Sequence, residues 1–115
     1  MLNVQSRQEG TASVLTIRGA LTFESLSALR DAMRKTITDN HSQVLVLNLE
    51  GVNLIDSSGI GLLVAFQKNV MTSNQGSLRL CCLGPNLHKA LDSVNVSQFF
   101  SVYPSEQEAL HGAAL

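Results

Sequence analysis

The segment Val44-Leu45-Val46-Leu47-Asn48-Leu49 constrains this chain more than any other, because it is apolar almost without alternation. A run of this kind suits a strand covered on both faces, the situation of a strand inside a parallel sheet. Parallel neighbours cannot be joined by tight hairpins, so helical crossovers must flank it. The chain is therefore expected to be α/β, with this segment as the central strand.

The flanking sequence supplies the required partners. Asn3 to Gln8 alternates weakly, Glu9-Gly10 marks a turn, and Ser13 to Ile17 reads as a second strand ending at Gly19. These two form an antiparallel pair at one edge. Thr22 is an N-cap for a helix from Phe23 to about Thr36, whose Leu26, Leu29, Met33 and Ile37 share one face, and Asp39-Asn40 ends it. After the central strand a second helix starts near Ser57 or Ser58 and runs to about Thr72. Gln75-Gly76 turns into a strand from Ser77 to Leu83, and Gly84-Pro85 opens a shorter helix. Phe99 to Tyr103 reads as a short edge strand, and Ser105 with Glu108 forms a capping box for a last helix ending near Gly112.

Composition narrows the function. With 115 residues there is room for one core and no second domain. Lys and Arg number 8 against 9 Asp and Glu, net charge −1, and no basic cluster occurs. Nucleic-acid binding is not expected, since phosphate neutralisation needs clustered cations. The longest stretch free of polar side chains, Gly59 to Phe66, is far too short to span a membrane, so no direct membrane insertion is expected. The N-terminus lacks a basic region followed by an apolar one, which points to a cytoplasmic protein. Cys81 and Cys82 are adjacent, which disfavours both a structural disulfide and a zinc site; they read as small buried hydrophobes on a strand.

The unusual segment is Asn53-Leu54-Ile55-Asp56-Ser57-Ser58-Gly59-Ile60-Gly61-Leu62-Leu63. It follows the central strand and opens a helix, where open α/β sheets gather functional groups. Asp56, Ser57 and Ser58 are all capping residue types, and the free amides of a first turn favour negative charge. Two glycines so early in a helix suggest close approach by a partner's backbone or a neighbouring strand. Capping and close helix–sheet packing alone would also account for the segment. It is neither a nucleophile elbow nor a phosphate loop, and it lacks the third glycine of a dinucleotide fingerprint. A Ser-His-Asp set drawn from Ser57 or Ser58 with His88 and Asp92 has no oxyanion loop and little cleft, and His41, His88 and His111 read as surface residues. No catalytic residues, metal ligands or cofactors are expected.

The last eight of these residues, Asp56 to Leu63, with Val44 to Glu50 before them, Gly76 to Leu80 after them and Ser105 to Leu110 at the end, strongly resemble the STAS family of sulfate-transporter and anti-sigma-factor-antagonist domains. The likeness covers essentially the whole chain. It implies one STAS domain over residues 1–115, α/β, with a mixed sheet of about four or five strands and about four helices. Small free-standing bacterial members are anti-sigma factor antagonists. The resemblance implies that Ser57 is phosphorylated by an anti-sigma factor with serine-kinase activity, with Ser58 as a secondary site. The unphosphorylated form binds that factor and so releases a sigma factor, and a serine phosphatase reverses the modification. Partner contacts are expected from Asp56, Ser57, Ser58, Gly59, Ile60 and Gly61, and from Thr22 and Glu24 in the preceding loop. That loop departs from the family pattern: many antagonists read Gly-Glu/Asp-Leu-Asp where this chain has Gly19-Ala20-Leu21-Thr22. The alternative is a subunit or fragment of an anion- or lipid-transport system that acts as a docking module.

Overall fold

The apolar run becomes the first half of β3 (Val44–Ile55), the middle strand of a five-stranded mixed sheet. A computed structural model describes residues 2–40, 44–69, 77–94 and 100–111. Around β3 lie β1 (Asn3–Glu9), β2 (Ala12–Leu21), β4 (Ser77–Cys81) and β5 (Ser101–Tyr103), ordered in space as they are in sequence. β1 pairs antiparallel with β2, and the other three pairings are parallel. The helices are α1 (Leu26–Asn40), α2 (Ser57–Asn69), α3 (Pro85–Ser93) and α4 (Glu106–His111). The α/β expectation, the antiparallel edge and the central strand hold.

Period-two alternation divides the sheet's two faces. Leu15, Ile17, Leu45, Leu47, Leu49, Leu78 and Leu80 pack in one cluster with Leu29 and Met33 of α1, Leu63 and Phe66 of α2, and Leu87 and Leu91 of α3. Val14, Val46 and Cys81 form a second cluster with Ala109 of α4. Polar contacts pin α4 to that second face. Glu106 accepts hydrogen bonds from Asn48 Nδ2 (2.6 Å) and Arg7 (2.8 Å), and buried Arg79 donates to the Ala109 carbonyl. Those bonds hold the Glu106 carboxyl below the usual carboxylate range, Arg7 contributing most and Asn48 next.

Several boundaries differ from expectation for local reasons. Gly19 does not end β2: it adopts φ 120° at an irregularity in the β2–β3 register, and pairing resumes to Leu21. This is glycine used as a bulge rather than a stop. The helix expected from Phe23 starts as a 3₁₀ turn, Phe23–Ser25, because Ser25 Oγ accepts the Thr22 amide (3.0 Å) and donates to the Ala20 carbonyl (2.7 Å). Thr22 does occupy the N-cap position of that turn. Ser105 Oγ accepts the Glu108 amide at 3.2 Å. The expected end at Thr72, the Gln75-Gly76 turn, Phe99, His41 and Gly112 fall outside the described residues.

The cysteine reading is corrected in part. Cys81 is fully buried on β4, but Cys82 lies past the strand end, half-buried, with φ 63°. Its amide still donates to the Tyr103 carbonyl at 3.2 Å, and its left-handed backbone turns the chain off the strand. Burial, with the neighbouring Cys82 adding to it, pushes the Cys81 thiol well above its ordinary range. Alkylation of the native protein is expected to modify Cys82 well before Cys81, since the thiolate is the reactive form. Peptide mapping after timed labelling checks this; equal rates would contradict the burial.

Candidate functional site

The β2–β3 register sets two strand-to-helix junctions side by side. The parallel pairing continues to Leu21 opposite Ile55, so the chain leaves both strands at the same level. The Asp56 amide donates to the Leu21 carbonyl at 3.1 Å, joining the junctions directly. The Asp56 carboxylate then spans them. One oxygen accepts the Gly59 amide (3.0 Å) and caps α2, and the other accepts the Phe23 amide (3.1 Å) and holds the 3₁₀ turn.

These amide bonds, that from Gly59 foremost, hold the Asp56 carboxyl below its usual range, against desolvation, the next-largest influence, which acts the other way. A carboxyl whose pKa is depressed by folding adds stability above its unfolded pKa and loses it as pH falls through the folded value. Asp56→Asn is therefore expected to melt below wild type at neutral pH, with the gap closing below about pH 4. Thermal melts across pH 2 to 7, with about pH 4 as the turning point, check this; a gap independent of pH would contradict a role for the charge.

The expected site residues separate by exposure. Ser57 opens α2 and is exposed, and its hydroxyl is not drawn into any hydrogen bond among the described residues. Glu24 and Gly61 are exposed, and Thr22, Asp56 and Ser58 are half-buried. Gly59 and Ile60 were expected among the partner contacts, but both face the interior. At Gly59 a Cβ would lie 2.5 Å from the Leu21 carbonyl oxygen and 3.0 Å from Ile55 Cγ1, so this glycine admits a neighbouring strand. At Gly61 a Cβ would meet nothing within 4 Å, so strand packing does not account for that glycine.

Two features of the site were not foreseen. Phe23 is 74% exposed and Leu54 55% exposed, and both belong to the junctions that carry Ser57. By pattern Phe23 belongs to an amphipathic helix and Leu54 to the segment after the central strand, whereas Leu54 lies within β3. Alternation gave no signal for Leu54, which shares its parity with buried Val52. Beside them runs a groove of about 340 Å³, with Leu26, Arg30 and Arg34 of α1 on one side and Ser58, Leu62 and Phe66 of α2 on the other. Arg30 Nε is buried there without a hydrogen-bond acceptor. Among the described residues the ion pairs belong to Arg7, and neither Arg30 nor Arg34 is ion-paired. In the sequence these arginines read only as the polar side of an amphipathic helix.

No hydrogen bond links Ser57 or Ser58 to His88 or Asp92 among the described residues, and His88 stands exposed on α3. Among the described residues no helix is long and apolar enough to cross a membrane.

Comparison with known proteins agrees with the fold. The chain is 27% identical over 111 residues to an anti-sigma F factor antagonist of Paenibacillus polymyxa, covering 95% of this chain and 94% of that one. It superposes over its full length on 96% of an anti-sigma factor antagonist from Mycobacterium paratuberculosis, with TM-score 0.89 and 19% identity. It is also similar to the Bacillus cell fate determinant SpoIIAA in its phosphorylated form, with TM-score 0.69 and 19% identity over 96% of this chain and 99% of that one. The family model for the STAS domain matches residues 3–109, from the first strand into the last helix, and the chain accordingly belongs to the STAS domain family.

Proposed function

We propose that this protein is an anti-sigma factor antagonist whose affinity for its partner is switched by phosphorylation of Ser57. The observation that carries the reading is the exposed, unengaged Ser57 hydroxyl at the start of α2. Phe23 and Leu54 supply apolar anchors beside it, the kind of residue on which protein interfaces concentrate their energy. The name of the Paenibacillus relative and the phosphorylated form of the Bacillus neighbour support the same reading.

The physical basis of the switch is local. A phosphoryl group adds about −1.5 to −2 charges beside Asp56, in a surface that must be desolvated when a partner docks. Within the domain the free amides of α2 tolerate that charge, so the fold is retained while the interface is lost. The partner is an anti-sigma factor with serine-kinase activity, and a serine phosphatase restores the binding form. In this reading the protein is a cytoplasmic binder and a kinase substrate, and it catalyses nothing itself.

Incubation with the cognate anti-sigma factor and ATP tests the assignment. Phosphopeptide mapping is expected to find the phosphate on Ser57, and Ser57→Ala is expected to stay unmodified while still binding. Full modification of Ser57→Ala at Ser58 would place the switch on the other hydroxyl, and absence of binding by any form would overturn the reading.

A further inference from the structure

The α1–α2 groove holds two arginines that the switch at Ser57 leaves without a role. Arg30 and Arg34 stand one turn apart on α1, across from Ser58, Leu62 and Phe66. The Asp56 carboxylate ties the 3₁₀ turn that leads into α1 to the start of α2, so the two helices set out side by side. Side chains on a helix lean toward its N-terminus, which carries Arg30 back toward the level of Ser58. Its Nε is buried with no acceptor, a state native proteins rarely leave uncompensated. Leu62 and Phe66 give the groove an apolar lining, beside which charge attraction is stronger than in open water. The groove is therefore short of one oxygen-bearing anion, and the Ser58 hydroxyl is a point on its wall where such an anion can be mounted.

Ser57 differs from its neighbour by about 100° of rotation around α2. It is exposed, whereas Ser58 is half-buried at the groove. We propose that a phosphoryl group on Ser58 is captured within the same chain by Arg30, with Arg34 completing the cationic wall. In the modification the Ser58 Oγ–P bond forms as the bond between the γ-phosphorus of ATP and its bridging oxygen breaks. ADP leaves, and the hydroxyl proton passes to the kinase's base and on to solvent. Asp56 is the opposing charge nearby, with its oxygens already engaged by two amides, and Glu24 is exposed on the preceding turn. The captured phosphate clamps α1 to α2 and is withdrawn from phosphatases, so the adjacent serines carry different messages.

Full-length protein with phosphoserine installed during synthesis at position 58, and separately at position 57, provides the test. In a phosphorus NMR titration the second pKa of the phosphate at 58 is expected to lie about one unit below that at 57. The chain phosphorylated at 58 is expected to melt higher than the unmodified chain. Arg30→Met is expected to bring the titration at 58 up to that at 57. Should Arg30→Met not fold, the Arg30 Nε–H resonance decides without a variant, since it must shift on phosphorylation of 58 and stay put on phosphorylation of 57. Equal titration of the two phosphates overturns the proposal. So does a lowered pKa at 58 with an unmoved Arg30 resonance, which would assign the effect to the α2 amides alone. None of these measurements uses a partner, so the outcome is independent of the reading at Ser57.

Discussion

Ser57→Asp is expected to bind the anti-sigma factor roughly a hundredfold more weakly than wild type, or worse, while keeping its fold. The variant adds one negative charge at the start of α2, where the helix dipole and free amides favour it by up to about 1 kcal/mol. Asp56 opposes the new charge, but at an exposed position salt screens that repulsion to a similarly small size. Melting temperature is then expected within about 4–8 °C of wild type, the shift that about 1 kcal/mol produces in a domain of this size. Docking meets a different balance, because an unpaired carboxylate in a desolvated contact costs several kcal/mol. Ser57→Ala keeps the neutral surface and is expected to bind like wild type. Melting curves and titration calorimetry on the three proteins side by side give both quantities. Wild-type affinity in Ser57→Asp would remove the electrostatic account, and so would loss of affinity that merely follows unfolding.

The two glycines of the motif are expected to respond oppositely to alanine. At Gly59 the new methyl would press on the Leu21 carbonyl oxygen from 2.5 Å, and that oxygen is fixed by the Asp56 amide it accepts. Backbone must move on one side or the other, and forcing bulk into a packed site costs roughly 1–3 kcal/mol. Gly59→Ala is then expected to melt lower by several degrees to more than ten, at about 4–8 °C per kcal/mol. Gly61 is exposed, and its methyl would meet nothing within 4 Å, so Gly61→Ala gains helix propensity of up to about 1 kcal/mol. Gly61→Ala is expected to melt above wild type and, if a partner's backbone passes close by, to bind more weakly. Calorimetric melts of the pair check the first contrast. A stable Gly59→Ala would mean that the β2 end yields easily, and that the Leu21–Asp56 contact is not a rigid part of the site.

Sequence patterning made the framework legible because burial dictates it. The unalternating run at Val44 to Leu49 could only be covered on both sides, and it occupies the middle of the sheet. The motif from Asp56 was legible as a helix start because capping is a matter of near neighbours. Contacts made at long range left no such trace. The second oxygen of Asp56 reaches Phe23, 33 residues away, and that bond depends on how β2 and β3 align. Gly19 read as a strand end because a bulge and a stop use the same residue for the same freedom of φ. Cys82 read as strand because nothing in its side chain announces a left-handed backbone. The groove arginines looked like solvated helix surface, and only the approach of α2 turned them into a wall.

The spatial order of the strands, identical to their order in the chain, also bears on how the molecule is assembled. A sheet of this kind can grow from one edge, each strand adding beside the last, and none must be threaded between two already paired. The β1–β2 hairpin closes first at little cost in loop entropy, and each parallel addition waits for its crossover helix. During synthesis the chain can thus lay down its sheet as it emerges. α4 comes last, so until it docks Val14, Val46 and Cys81 remain uncovered. During that interval the growing chain offers an apolar face to which others can adhere.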